Sequence, residues 1–130
     1  MLNGNMVSPK TNSKRSATQS FIHYTNEQGW KSIDASGEIR ISTRDSGKAH
    51  YGEGVYGTTL RPEEGKMRIA KNNWFFNNAK NYVASGKVDV AIELEIPAEK
   101  VQKVGQWYRD ILLHVGPIRL NDYKYKVRHI

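Results

Sequence analysis

The sequence predicts an α+β fold with a mostly antiparallel β-sheet core and two flanking helices. Three observations lead there. Segments with strand patterning outnumber helical ones, and both helical segments fall in the first two thirds of the 130 residues. The connections are also too short and irregular for repeated βαβ units, which a doubly wound parallel sheet needs.

In chain order, residues 1–19 are rich in Asn, Ser, Thr, Lys and Gly without apolar periodicity. They read as a disordered leader or linker, and residues 20–130 as a single domain. Phe21-Ile22-His23-Tyr24 is a short strand. Thr25 with Gln28 three residues on forms a capping box, starting a helix with Trp30 and Ile33 on one face. Gly37 stands where a glycine ends such a helix. Glu38 to Ser42 alternates as a strand with Ile39 and Ile41 inward, and residues 43–50 form a polar loop. Tyr51-Gly52-Glu53-Gly54-Val55-Tyr56-Gly57-Thr58-Thr59 combines two glycines, suited to positive φ or close backbone approach, with good strand formers. It reads as a turn that delivers Tyr56 onto a half-buried strand.

Arg61-Pro62-Glu63-Glu64-Gly65 interrupts the chain. Asn72 or Asn73 then caps a second helix in which Trp74, Phe75, Asn78, Tyr82 and Val83 recur at helical spacing, until Ser85-Gly86 stops it. Lys87 to Ile96 is the clearest strand, with Val88, Val90, Ile92, Leu94 and Ile96 on one face and Pro97 at its end. Residues 98–108 are compatible with a turn of helix and a short strand around Val101 and Val104. Ile111 to Val115 is a short apolar strand, Gly116-Pro117 a turn, and Leu120 to Ile130 a final strand.

The length suffices to bury a core without staples. With no cysteine in the chain, disulfides, thiolate nucleophiles and Cys-ligated metal sites are excluded together. No apolar run approaches a membrane span, and the N-terminus lacks the apolar stretch of a secretory signal. The formal charge of +7 and pI near 9.7 favour polyanionic partners: nucleic acid, an acidic protein or a dinucleotide. On a strand, Lys124, Lys126 and Arg128 share one face. A solvated edge strand that resists aggregation explains that stripe equally well.

The histidines His23, His50, His114 and His129 lack the spacing of a metal site, so no metal is expected. No nucleophile elbow or phosphate loop occurs. Singly, His23 is an ordinary strand-end histidine, Thr25 a helix cap, Tyr56 a core tyrosine and Asp122 a turn residue. In series they are a histidine on the first strand, a tyrosine after Gly-x-Gly on a middle strand, and an acid opening the last strand.

That series resembles the diphtheria-toxin-like branch of ADP-ribosyltransferases, whose signature residues are His, Tyr and an acid. Phe21-Ile22-His23-Tyr24-Thr25 resembles the first motif, an apolar strand ending in His-x-Ser/Thr. Gly52-Glu53-Gly54-Val55-Tyr56 is similar to the second, and Asn121-Asp122-Tyr123-Lys124-Tyr125 to the third, with Asp for the commoner Glu. The His-Tyr-Asp version is similar to toxin domains at the C-termini of bacterial polymorphic toxins.

The resemblance implies a split antiparallel sheet and a mono-ADP-ribosyltransferase using NAD as co-substrate. It implies catalytic residues His23, Tyr56 and Asp122. His23 would bond the adenosine ribose, while the Tyr24 backbone and Thr25 hydroxyl would hold the nicotinamide carboxamide. Tyr56 would stack on nicotinamide at the turn containing Gly54, with Tyr51 a second aromatic wall, and Asp122 would bond the ribose 2′-hydroxyl. Asp110, Glu93 and Glu95 are candidate acids as well. The implied partners are a protein or RNA acceptor and an acidic immunity protein, and the implied setting is a toxin domain delivered into target-cell cytoplasm. Competing functions are NAD glycohydrolysis, a non-catalytic nucleic-acid-binding module using Trp74, Phe75, Tyr123 and Tyr125 as stacking platforms, and a degenerate fold without turnover.

Overall fold

The computed structural model describes residues 17–43, 51–74, 78–106 and 108–130. Residues 1–16, most of the 43–50 loop with His50, and Phe75 lie outside them, while Thr18 and Gln19, expected in the leader, belong to a paired strand.

The architecture is α+β with antiparallel pairing throughout the described strands. The elements are β1 (Thr18–Thr25), α1 (Glu27–Ser36), β2 (Glu38–Ile39), β3 (Val55–Gly57), α2 (Lys66–Asn73), α3 (Ala79–Ala84), β4 (Val90–Pro97), β5 (Val101–Lys103), β6 (Leu112–His114), β7 (Ile118–Arg119) and β8 (Lys124–His129). Short 3-10 turns cover Pro62–Glu64, Ala98–Lys100 and Leu120–Asp122.

Two three-stranded sheets run β1-β4-β8 and β3-β6-β5, and β2 pairs with β7. The two larger sheets meet at one bridge, Ile22 to Thr58. The order across the molecule is therefore β5-β6-β3, then a single point of contact, then β1-β4-β8. Phe21 on β1 and Ile92, Leu94 and Ile96 on β4 build one core face with Ile33 and Trp30 of α1, Val55, Leu112 and Ile118. Ile22, Tyr24 and Ala91 alternate onto the other face, against Ile69 of α2, Val83, Val88, Leu60 and Trp74.

The capping site differs from the sequence expectation. Asn26, not Thr25, caps α1, its side-chain oxygen accepting from Gly29 N–H at 2.7 Å. Extended β1 geometry runs through Thr25, so the cap falls one residue later. The helix ends as expected at Gly37, which has φ of 75° and donates to the Ile33 carbonyl. β2 stops at Ile39, leaving Ile41 36% exposed rather than inward. Asn72 and Asn73 do not start a helix but end α2, which the sequence does not predict; the expected helix begins only at Ala79, as α3, so among the described residues three α-helices flank the sheets. The final expected strand is broken by the 3-10 turn at Leu120–Asp122. Among the described residues no helix is long and apolar enough to cross a membrane.

Candidate functional site

The site arises where the β1–β3 ladder gives out. Ile22 and Thr58 exchange two backbone hydrogen bonds, of 2.8 and 3.0 Å. In a continued antiparallel ladder Tyr24 and Tyr56 would form the next such pair, two residues along each strand. They do not. The Tyr56 carbonyl instead lies 2.8 Å from His23 Nδ1. A histidine side chain has replaced a strand amide, and the two strands part beyond it.

The parting has a direct consequence for Tyr24. Side-by-side groups repeat every second residue, so its N–H and C=O point the way those of Ile22 do, away from β4. Neither has a backbone partner among the described residues. Its side chain is fixed elsewhere: the phenol donates to the Leu60 carbonyl at 2.6 Å, and burial together with nearby Glu93 pushes its pKa up. Tyr24 thus contributes a clamped ring and an open peptide edge.

A cleft of about 360 Å³ fills the gap, within the range of small-molecule sites. His23, Tyr24 and Thr25 line one side, and Tyr56, Gly57 and Tyr51 the other. Trp74 and Tyr82, stacked at 4.4 Å, line it from the helices. Because α1 is capped by Asn26, the Thr25 hydroxyl is not consumed in helix capping.

Tyr56 is held by the turn before it. Its hydroxyl donates to the Gly52 carbonyl at 2.5 Å and accepts from Tyr51 N–H at 2.7 Å. Gly52 has φ of 117°, in the region that favours glycine. At Gly54 a Cβ would come within 2.4 Å of the His114 carbonyl oxygen. Both glycines are therefore required for the turn to lie this close to β6.

Burial lowers the His23 pKa from its ordinary value, outweighing the backbone contact that favours charge. The imidazole is therefore neutral at pH 7. Since a carbonyl can only accept, Nδ1 carries the proton and Nε2 is left as an acceptor. Among the other described histidines, His114 meets the Gly116 carbonyl and His129 meets Glu27. Neither lines the cleft, and no group of His, Asp and Glu suited to a metal ion occurs among the described residues.

The structure does not bring Asp122 to this place. Asp122 is exposed, in the turn before β8. His23 aligns through Ile92 with Val127, five residues further along β8 than Asp122. At about 3.3 Å per residue and about 4.8 Å between strands, the separation is roughly 15–20 Å. The physical reason is strand order, since β8 lies on the far side of β4 from the opening.

Asp110 is the acid that topology brings near. β6 pairs with β3, and continuing that register from Gly57↔Leu112 sets Thr59 opposite Asp110. The Asp110 carboxylate accepts from both the Thr59 hydroxyl and the Thr59 N–H. Its chain neighbours Arg109 and Ile111 line the cleft, whereas Asp110 itself does not. Arg109 donates to the Asn72 and Asn73 carbonyls at the end of α2, at 2.9 and 3.0 Å, and lies beside Tyr51. A cation at a helix C-terminus is favourably placed. Glu93 and Glu95 are engaged outside the cleft. Glu93 is buried in an ion-pair cluster with Arg128 and Arg61, and Glu95 accepts from Thr18.

Sequence reasoning does not single out Ser42, Lys87, Arg109 or Ile111 as cleft residues, and it gives Trp74 and Tyr82 only a helical spacing. No local signal marks the first four. Comparison of the chain with known protein families, with characterised proteins and with solved structures finds no match.

Proposed function

We propose that this cleft binds the nicotinamide riboside end of NAD and that the protein is an NAD-cleaving mono-ADP-ribosyltransferase, with Asp110 rather than Asp122 as its acid. The observation that carries the reading is the open peptide edge of Tyr24 inside an aromatic cleft. A primary carboxamide has one acceptor oxygen and an N–H₂ donor, so it complements that edge as the missing strand residue would. Pairing both groups of that edge with one ligand closes it as a further strand residue would, which suits a carboxamide.

The remaining chemistry follows from the same residues. Tyr56, its hydroxyl tied back to Tyr51 and Gly52, offers a fixed ring to stack on nicotinamide, worth ~0.5–1.5 kcal/mol beyond area burial. Thr25 adds a hydroxyl beside the carboxamide. His23 Nε2 would accept from a ribose hydroxyl. Breaking the bond from ribose C1′ to the nicotinamide nitrogen sends its electron pair to the pyridinium ring, which leaves neutral, and positive charge develops on the ribose. Asp110 would accept from the ribose 2′-hydroxyl and stabilise that charge. A carboxylate has about four acceptor positions, so this is compatible with the Thr59 bonds. An acceptor nucleophile then bonds C1′ and releases its proton.

The split between two antiparallel sheets, with His23 on β1, Tyr56 on the neighbouring β3 and Asp110 two residues before β6, supports the family likeness. It weighs against the nucleic-acid module, because Trp74 lies in the cleft while Tyr123 packs against the opposite core. The natural setting we propose remains a bacterial toxin domain with a protein or RNA acceptor and an acidic immunity partner complementary to its +7 charge.

Incubation with NAD labelled in the adenosine half, with and without cell extract, tests this. Free nicotinamide with label on protein or RNA is expected. Free nicotinamide with only soluble ADP-ribose means glycohydrolysis, and intact NAD throughout refutes the reading.

A further inference from the structure

We infer that Asn72 is a positioning residue that holds the Asp110 backbone, and through it the carboxylate, between the cleft-lining residues Arg109 and Ile111; this rests on the proposed role of Asp110. Asn72 is the last residue but one of α2 and is 4% exposed. Its Oδ1 accepts from Asp110 N–H at 2.6 Å, and its Nδ2 donates to the Asp110 carbonyl at 2.8 Å. One carboxamide therefore grips both polar groups of a single peptide residue, as a neighbouring strand would.

The same Nδ2 lies 3.2 Å from Thr58 Oγ1, on the residue that makes the β1–β3 bridge. The Asn72 carbonyl meanwhile accepts from Arg109. Asn72 thus ties α2, the bridge that ends the closed part of the sheet, and the acid into one network. β6 begins only at Leu112, so regular pairing within it does not extend to Asp110. The side chain of Asn72 supplies what the ladder lacks. Its carboxamide is also oriented by chemistry: both ends are specified, the oxygen by an N–H and the nitrogen by a carbonyl.

Asn72→Asp keeps the shape and the acceptor but removes the donor to the Asp110 carbonyl. The expected result is a fall in kcat for nicotinamide release of roughly 10²-fold, since a shift of about 1 Å has that effect, with KM within about threefold. In an Asp110→Asn background the same change should cost nothing further, because residues acting as a unit are not additive. Amide exchange at Asp110 should quicken in Asn72→Ala. A kcat equal to the parent's, or an undiminished loss in the Asp110→Asn background, overturns the inference, as does unchanged exchange at the Asp110 amide. A parent that releases no nicotinamide overturns the catalytic reading instead, and the exchange measurement still decides whether the clamp exists.

Discussion

Exchanging Asp for Asn at positions 110 and 122 separates the two acids cleanly. Asn is isosteric with Asp, so shape is retained and only charge and one acceptor are lost. At position 110 the carboxylate accepts two hydrogen bonds from Thr59. Replacing it weakens a charge-assisted contact, about 1–2 kcal/mol of stability, or a few degrees in Tm for a domain of this size. The catalytic loss should be larger, on the order of 10²–10³ in kcat for a charge directed at the developing cation. At position 122 the side chain is exposed, and a change within about 0.5 kcal/mol is expected. Nicotinamide release by chromatography and thermal unfolding by circular dichroism read both quantities. An Asp122→Asn protein that is inactive beside an active Asp110→Asn protein would refute the strand-order reasoning.

Further expectations concern the residues around the acid. Tyr56→Phe removes the hydroxyl bonded to Gly52 and Tyr51, so it should cost about 1–3 kcal/mol in chemical denaturation while keeping the stacking ring. Tyr56→Ala should in addition raise KM for NAD as well as lower kcat, since stacking acts in ground and transition states alike. The His23 pKa is depressed in the folded state. The unfolded chain therefore binds the extra proton first, and stability should be full above about pH 6.5 and decline as pH falls below it. A urea-denaturation series from pH 8 to pH 5 reads this slope, and His23→Gln should flatten it. Gly54→Ala puts a methyl 2.4 Å from the His114 carbonyl oxygen. It should cost about 1–3 kcal/mol, measured by the urea midpoint.

Local chemistry is legible in the sequence, and adjacency is not. Gly37 ends α1 and the alternation of Val90 to Ile96 makes β4, because both depend on neighbours a few residues away. Thr25 and Asn26 are both competent caps, and only the length of β1 decides between them. The Gly-x-Gly turn before Tyr56 reads as a close approach, though the sequence does not say that His114 is what it approaches. The acid is the hardest choice. Asp110 and Asp122 each precede an apolar or alternating segment, and the longer segment follows Asp122. Which segment lies next to Tyr56 is set by sheet order, a property of pairings more than fifty residues apart that no local pattern encodes. Asn72 illustrates the same limit. Its local pattern is that of a helix cap, whereas the fold buries it near a helix end to bind a peptide 38 residues away.

The most direct test of the open edge at Tyr24 is an NMR titration of the ¹⁵N-labelled protein with nicotinamide and, separately, with nicotinic acid. Nicotinamide should shift the Tyr24 amide together with resonances of residues 54–57, and nicotinic acid, whose carboxylate has no N–H to give the Tyr24 carbonyl, should bind far more weakly. A Tyr24 amide that stays in place while nicotinamide binds, or equal response to the two ligands, would contradict the account.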